Sequence, residues 1–171
     1  MTSNLSLFVG SSAALVPFVS LSPAARLYTL HANTDLIVLP FDIDVQDHLH
    51  DRFGTGDWPE KQSIALSTTD QVFAADCSRV APLAFLQCDT SEDGGFQSSA
   101  LWQFGRLSLG PTTLDMTGAG LGRAATLRPI NVVLRALGVI TGANADEFMA
   151  FGLGAYADNA EIHRRARPVR I

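Results

Sequence analysis

The sequence predicts an α+β fold in one globular domain, residues 1–171, with about four helices on a mostly antiparallel sheet of about five or six strands. Hydrophobic residues make up 47% of the chain and charged residues 17%, which is typical of a protein that buries a core. Strand-like and helix-like segments follow one another without the regular alternation that builds a parallel sheet. Turn signals between the strand segments favour antiparallel pairing instead.

The first part of the chain predicts three strands. Leu5–Val9 alternates between apolar and other residues, and Leu27–His31 and Leu36–Leu39 form two further strands joined by a turn at Asn33-Thr34. The apolar segment Leu5–Val19 has no Lys or Arg before it and is interrupted by a proline. We therefore interpret it as a buried strand and its connection, rather than as a secretion signal.

Two helices are predicted next. The first covers Asp42–Phe53 and ends at Gly54, because Val45, Leu49 and Phe53 recur at helical spacing. The second begins at Ser67, whose hydroxyl can accept from the amide of Asp70 in a capping box. The residues predicted to form the apolar side of this second helix are Val72, Phe73 and Ala75.

The second half predicts a central strand, a hairpin and two more helices. Leu83–Cys88 is almost wholly apolar, which indicates a strand buried on both faces. Asp89–Gly95 is a polar loop, and Ser98–Leu109 forms a hairpin that turns near Phe104-Gly105. The helices are predicted from Pro129 to Gly138, with the apolar stripe Ile130, Val133, Leu134 and Leu137, and over Ala145–Phe151.

Charge is distributed unevenly. Residues 1–161 contain 17 acidic and eight basic side chains, whereas the last ten residues add four arginines and bring the net charge to −5. An acidic body argues against nucleic-acid binding, because phosphates must be met by positive charge. It is compatible with a basic protein partner. The arginine-rich tail is interpreted as a solvated terminus or as a strip docked on the acidic body, and no membrane span is predicted.

The acidic helix carries the main candidate site. Asp44, His48 and Asp51 are spaced i, i+4 and i+7 and share one side, with Asp47 beside them. Three interpretations remain open: a solvated acidic surface, a partner-binding surface, or a divalent-metal site built from carboxylates and imidazole. The polar loop is a second candidate contact, through Glu92 and Asp93.

Other motifs do not support a cofactor. The glycines of Gly118–Gly122 are not followed directly by a helix or by a Lys-Ser or Lys-Thr pair, so nucleotide binding is not predicted. The polar loop lacks the ligand spacing of an EF-hand. Cys77 and Cys88 have no metal-ligand spacing and are expected to be buried and reduced. Cys77 with a distant histidine remains the only nucleophile considered, and His31 and His163 are interpreted as structural or solvated.

The hairpin region also carries a resemblance. Gly94-Gly95, Gln97, Ala100, Trp102 and Gly105 resemble a hairpin pattern of small bacterial proteins of the toxin-immunity kind. The segments Pro129–Val139 and Asp146–Gly154 are similar to the C-terminal part of such proteins, so the resemblance covers roughly the second half of the chain. It implies a cytoplasmic protein that binds and neutralises a toxin.

Residues and resemblance together predict a protein-binding module and not an enzyme. A basic toxin would be neutralised by steric occlusion, without chemistry on this chain. Two alternatives stay open: a structural or assembly subunit of a larger bacterial or phage complex, and a small enzyme of unknown reaction. The predicted contact residues are Asp44, Asp47, His48, Asp51, Glu92 and Asp93.

Overall fold

A computed structural model describes residues 3–30, 34–59, 64–91, 94–116, 127–142 and 146–170. One antiparallel sheet of seven strands forms its centre. The strands are β1 (Ser3–Gly10), β2 (Tyr28–Thr29), β3 (Ile37–Pro40), β4 (Leu83–Ser91), β5 (Gly94–Gln103), β6 (Arg106–Asp115) and β7 (Arg167–Pro168). Their order across the sheet is β6-β5-β4-β1-β3-β2-β7.

Six α-helices lie in the described part of the chain: α1 (Ser12–Leu21), α2 (Ile43–Phe53), α3 (Thr68–Cys77), α4 (Pro129–Ala136), α5 (Glu147–Ala150) and α6 (Asn159–Arg165). A short 3-10 helix covers Leu153–Ala155. The predicted α+β fold with an antiparallel sheet is therefore confirmed, with more strands and helices than expected. None of the described helices is long and apolar enough to cross a membrane.

Helices cover both faces of the sheet. Phe8 pairs with Phe85 across β1 and β4, and both side chains enter a core that includes residues of α1, α2 and α3. The next pair, Leu7 and Leu86, points the other way into a second core with α4 and α6. Because successive strand residues alternate between faces, β1 and β4 must be apolar on both sides. The prediction that the Leu83 strand is central is confirmed.

Two segments that were predicted to be loops form helix or strand instead. The segment after β1 forms α1, although Pro17 lies within it. Ala14, Leu15 and Phe18 supply a buried helical stripe, which outweighs the one backbone hydrogen bond that proline removes. The polar loop predicted over Asp89–Gly95 is also shorter than expected, since Asp89 pairs with Phe96 and Ser91 with Gly94.

The arginine-rich tail belongs to the fold. Ile162 of α6 is fully buried, and β7 pairs with β2 at one edge of the sheet. The tail is thus docked on the rest of the molecule, as one of the two interpretations expected, and its four arginine side chains are exposed. Its regular structure was not predicted, because α6 carries only one buried apolar side chain and β7 is only two residues long. Helix and strand patterns of this length are too short to be recognised by periodicity.

The second predicted helix is buried in part as expected, since Phe73 and Ala75 pack against the core. The buried residues of α3 are Asp70, Ala74 and Cys77, at helical spacing. Val72 is instead 64% exposed, and Phe53 at the end of α2 is 56% exposed. The predicted apolar sides were wrong at these two residues, because the polar Asp70 occupies the buried position between α2 and α3.

Candidate functional site

The predicted acidic residues of α2 lie on its outer surface. Asp44, Asp47 and Asp51 are exposed, and none of them forms an ion pair with another described residue. We call these three residues the acidic stripe. His48 is half-buried beside them, where its Nδ1 lies 2.5 Å from the carbonyl oxygen of Asp44 and 3.2 Å from Ser22 Oγ.

This geometry does not favour a metal site on α2. His48 directs Nδ1 to a backbone carbonyl and to Ser22. Among the described residues, no group of three or more His, Cys, Asp and Glu side chains is placed to hold a metal ion. Glu92 and Asp93, the other predicted contacts, lie outside the described residues.

A buried polar cluster attaches α2 to α3. We call Gln46, His50, Ser67 and Asp70 the Asp70 cluster. The Asp70 carboxylate is fully buried and accepts from Ser67 N at 2.8 Å and from Gln46 Nε2 at 2.7 Å. His50 Nε2 lies 3.0 Å from Asp70 Oδ1, and Asp70 N donates to Ser67 Oγ at 3.2 Å. The predicted capping box is confirmed, and it extends to two side chains of α2.

The Asp70 cluster contains serine, histidine and aspartate, but not in a catalytic arrangement. In a hydrolytic triad the serine and the aspartate contact opposite ring nitrogens, so that one nitrogen can accept the serine proton. Here Ser67 Oγ and Asp70 Oδ1 both lie near Nε2 of His50, at 3.1 and 3.0 Å. A carboxylate can only accept, so Nε2 carries a hydrogen and is no base for Ser67. The cluster instead fixes the position of α2.

The same cluster orients the acidic stripe. Gln46 and His50 face α3, and Asp47 and Asp51 each follow one residue later. Successive residues of an α-helix are rotated by about 100°, so the stripe lies roughly a quarter-turn from the side that contacts α3. It therefore points to solvent, on a helix whose inner side is held by buried hydrogen bonds.

An apolar groove lies on the α3 side of the same helix. Its volume is about 480 Å³. Phe53 contributes one wall and the exposed Val72 another, and the rings of Phe53 and Phe73 pack in a tilted arrangement with their centroids 5.7 Å apart. Pro17 of α1 closes one side, and Asp76 is the one charged residue that lines the groove within the described part of the chain. We call this cleft the groove.

The thiol at the groove is not an activated nucleophile. Cys77 lines the groove and is almost fully buried. Burial raises the pKa of its thiol to about 12, with a smaller contribution from the neighbouring Asp76 carboxylate. A reactive cysteine requires the opposite shift, toward the thiolate. Both cysteines are free and buried, as predicted.

A second polar cluster lies at the other end of α2. Asp42 precedes α2, and its Oδ2 lies 2.6 Å from His163 Nε2 on α6. Tyr28 Oη lies 2.8 Å from Nδ1 of the same imidazole, and Asn159 Nδ2 donates to Asp42 Oδ1 at 2.7 Å. We call these four residues the Asp42 cluster.

Here the acid and the hydroxyl do contact opposite nitrogens of the imidazole. Burial raises the pKa of Tyr28, although the nearby Arg26 opposes the shift. The phenol therefore stays protonated at neutral pH, which is unfavourable for a nucleophile and suitable for a hydrogen-bond donor. The Asp42 cluster links α6 to β2 and to the start of α2.

Sequence reasoning missed Tyr28 and Asn159 because nothing in their local pattern distinguishes them. Their partners are more than 100 positions away along the chain. Asp70 was assigned only to the cap of α3. Nothing in the sequence of that helix indicated that its carboxylate also contacts Gln46 and His50 of α2. The charge pattern of α2 was the one site signal that the sequence carried.

Comparison with protein-family models, with curated proteins and with solved structures found no match to this chain. The resemblance to immunity proteins therefore stays a prediction. In the structure, the hairpin residues of this pattern lie in β5 and its turn, where Ala100 and Trp102 are buried in the core. The two later segments contain α4 and α5.

Proposed function

We propose that this chain is a protein-binding module and that the acidic stripe receives a basic partner. The observation that carries the proposal is a row of three exposed carboxylates without an ion-pair partner among the described residues, on a helix that the Asp70 cluster holds in place. A rigid charged surface loses little conformational entropy on binding. It also attracts a basic partner at long range and raises the association rate.

A basic toxin is the partner that the immunity resemblance suggests. Occlusion of its active site would require a stable contact and no reaction on this chain. This agrees with a site that contains no base placed for Ser67 and a Cys77 thiol that stays protonated at neutral pH. The proposal includes Asp44, Asp47 and Asp51 as contacts, with His48 at the edge of the stripe.

The test is charge reversal with a matched control. Asp47→Lys with Asp51→Lys reverses the stripe, and Asp35→Lys with Asp89→Lys changes the net charge equally at exposed residues outside it. The partner is captured from a lysate of the source organism, identified, and titrated against each variant at low and high salt. We expect the stripe variant to bind at least about tenfold more weakly at low salt, and the control to bind like the wild type.

Two results would contradict the proposal. One is unchanged affinity of the stripe variant at low salt. The other is an equal loss in both double variants, which would indicate a general effect of net charge and no specific surface. A partner without a basic contact surface would also argue against it.

A further inference from the structure

The groove indicates a second type of contact with the partner. We propose that the groove receives the apolar side of a cationic amphipathic helix that belongs to the protein partner. This inference rests on the proposed function, because the partner is the same, but it concerns a different surface and a different type of contact.

The apolar character of the groove provides the anchor. Phe53 and Val72 are 56% and 64% exposed although both are large apolar residues. They face a cleft of about 480 Å³, which is within the range of roughly 300–1,000 Å³ that ligand sites occupy. Clustered exposed apolar side chains beside a cleft mark binding surfaces, whereas single ones are normal. Apolar side chains of a partner would remove both residues from water.

The walls of the groove favour a helical occupant. They are formed by side chains of the three helices α1, α2 and α3, and none of the described lining residues belongs to a strand. An extended peptide would find no strand edge there to complete its backbone hydrogen bonds. A helix satisfies its backbone internally and presents apolar side chains at i, i+3, i+4 and i+7, which is the pattern that helix-binding grooves read.

The charges around the groove favour a cationic occupant. Among the described residues, Asp76 is the one charged side chain that lines it, and none of the lining residues in that part of the chain is basic. Its contact with Arg79 is between side chains that are 62% and 70% exposed, so it is weak enough for a partner cation to replace it. The described residues between positions 42 and 79 include seven acidic side chains and two arginines, so this region of the molecule carries net negative charge. An anionic amphiphile would place its charge beside Asp76 and is disfavoured.

The chain offers a closely matched pair of variants for the test. Val72 in the groove and Val80 outside it are 64% and 69% exposed, so Val72→Arg and Val80→Arg introduce the same charge at similar exposure. Binding is measured by fluorescence anisotropy with a labelled 18-residue peptide of leucine and lysine in heptad spacing. A peptide in which glutamate replaces lysine, and the small amphiphile dodecyltrimethylammonium, are the comparison probes. Thermal unfolding establishes that both variants are folded.

We expect the leucine–lysine peptide to bind the wild type and Val80→Arg, and to bind Val72→Arg at least about tenfold more weakly. The glutamate peptide should bind the wild type at least about tenfold more weakly than the lysine peptide. The inference is overturned if the lysine peptide does not bind, if both arginine variants weaken it equally, or if the glutamate peptide binds as well. Binding of the small amphiphile alone would overturn it in favour of a small-molecule site.

Failure of this inference is distinguishable from failure of the proposed function. If Val72→Arg leaves the native partner's affinity unchanged while the Asp47 and Asp51 reversal lowers it, the stripe is the contact and the groove is not. If the model peptide binds the groove but the stripe reversal has no effect on the native partner, the groove inference stands and the acidic stripe is excluded.

Discussion

Replacement of Asp70 by alanine tests how α2 is held on α3. The carboxylate has no exposed surface, and it receives the backbone N–H of Ser67 together with side chains of Gln46 and His50. Asp70→Ala leaves these donors without their acceptor. Because Ser67 is also buried, its N–H cannot turn to water in the folded state.

The magnitude follows from the three contacts. A buried backbone donor left without a partner costs about 1–3 kcal/mol, and each lost side-chain hydrogen bond contributes roughly 0.5–1.5 kcal/mol. Gln46 and His50 are only partly buried and recover some of their loss by hydration. We therefore expect the free energy of unfolding to fall by about 3–4 kcal/mol, which is a large share of the roughly 5–15 kcal/mol that a domain possesses.

Urea denaturation followed by circular dichroism measures this change. Asp76→Ala on the same helix is the control, because its ion pair with Arg79 is largely exposed and should contribute less than about 1 kcal/mol. The reasoning is refuted if Asp70→Ala lowers the free energy of unfolding by less than about 1 kcal/mol, or by no more than the control does. The loss of unfolding free energy in Asp70→Asn should lie between the losses in Asp70→Ala and Asp76→Ala, since the asparagine amide keeps one acceptor oxygen.

Three other properties follow from single contacts. The hydrogen bond from Arg135 lowers the pKa of the Glu147 carboxyl. The stability that this contact contributes should be full above the ordinary carboxyl pKa and should fall as pH drops through the lowered value. Glu147→Gln should therefore reduce the dependence of the urea midpoint on pH between pH 6 and 3, and an equal dependence in both proteins would contradict this. The pKa of the Cys77 thiol is about 12, against an ordinary value of 9, so its thiolate should be about a thousandfold scarcer than that of an exposed cysteine. A thiol-specific disulfide reagent at pH 8 should therefore react slowly with the native protein and rapidly after unfolding. Asn159 forms two hydrogen bonds with the backbone of Ser6, at 3.1 and 3.0 Å. Asn159→Ala should therefore lower the free energy of unfolding by about 2 kcal/mol. A change within about 0.5 kcal/mol in thermal unfolding would show that the position of α6 does not depend on these hydrogen bonds.

The structural elements that depend on neighbouring residues could be predicted from the sequence. The helical spacing before Gly54 predicted α2, and Ser67 with Asp70 predicted the start of α3. The hairpin turn at Phe104-Gly105 was also correct, and both residues have positive φ values, 55° and 77°, as a two-residue hairpin turn requires. Each of these features depends on residues that lie within one or two turns of each other along the chain.

Features that depend on distant partners were not predictable. Pro17 indicated a break, but burial of Phe18 and its neighbours against the sheet holds α1 together. Val72 was expected on the buried side of α3 but is exposed, whereas Asp70, which was assigned only to the cap, is buried in contact with Gln46 and His50 of α2. The groove is lined by residues from α1, α2 and α3, so no local pattern could indicate it.

The sequence by itself determined the fold class, the central apolar strand, the hairpin and the acidic side of α2, because apolar periodicity, turn chemistry and charge spacing are properties of neighbouring residues. Only the tertiary structure decided which side of α3 is buried, that α6 and β7 join the sheet, and that Tyr28 meets His163 and Asp42. These outcomes depend on hydrogen bonds and packing between segments far apart in the chain. Such contacts form only after the sheet has brought the segments together, and they leave no periodic trace in either segment.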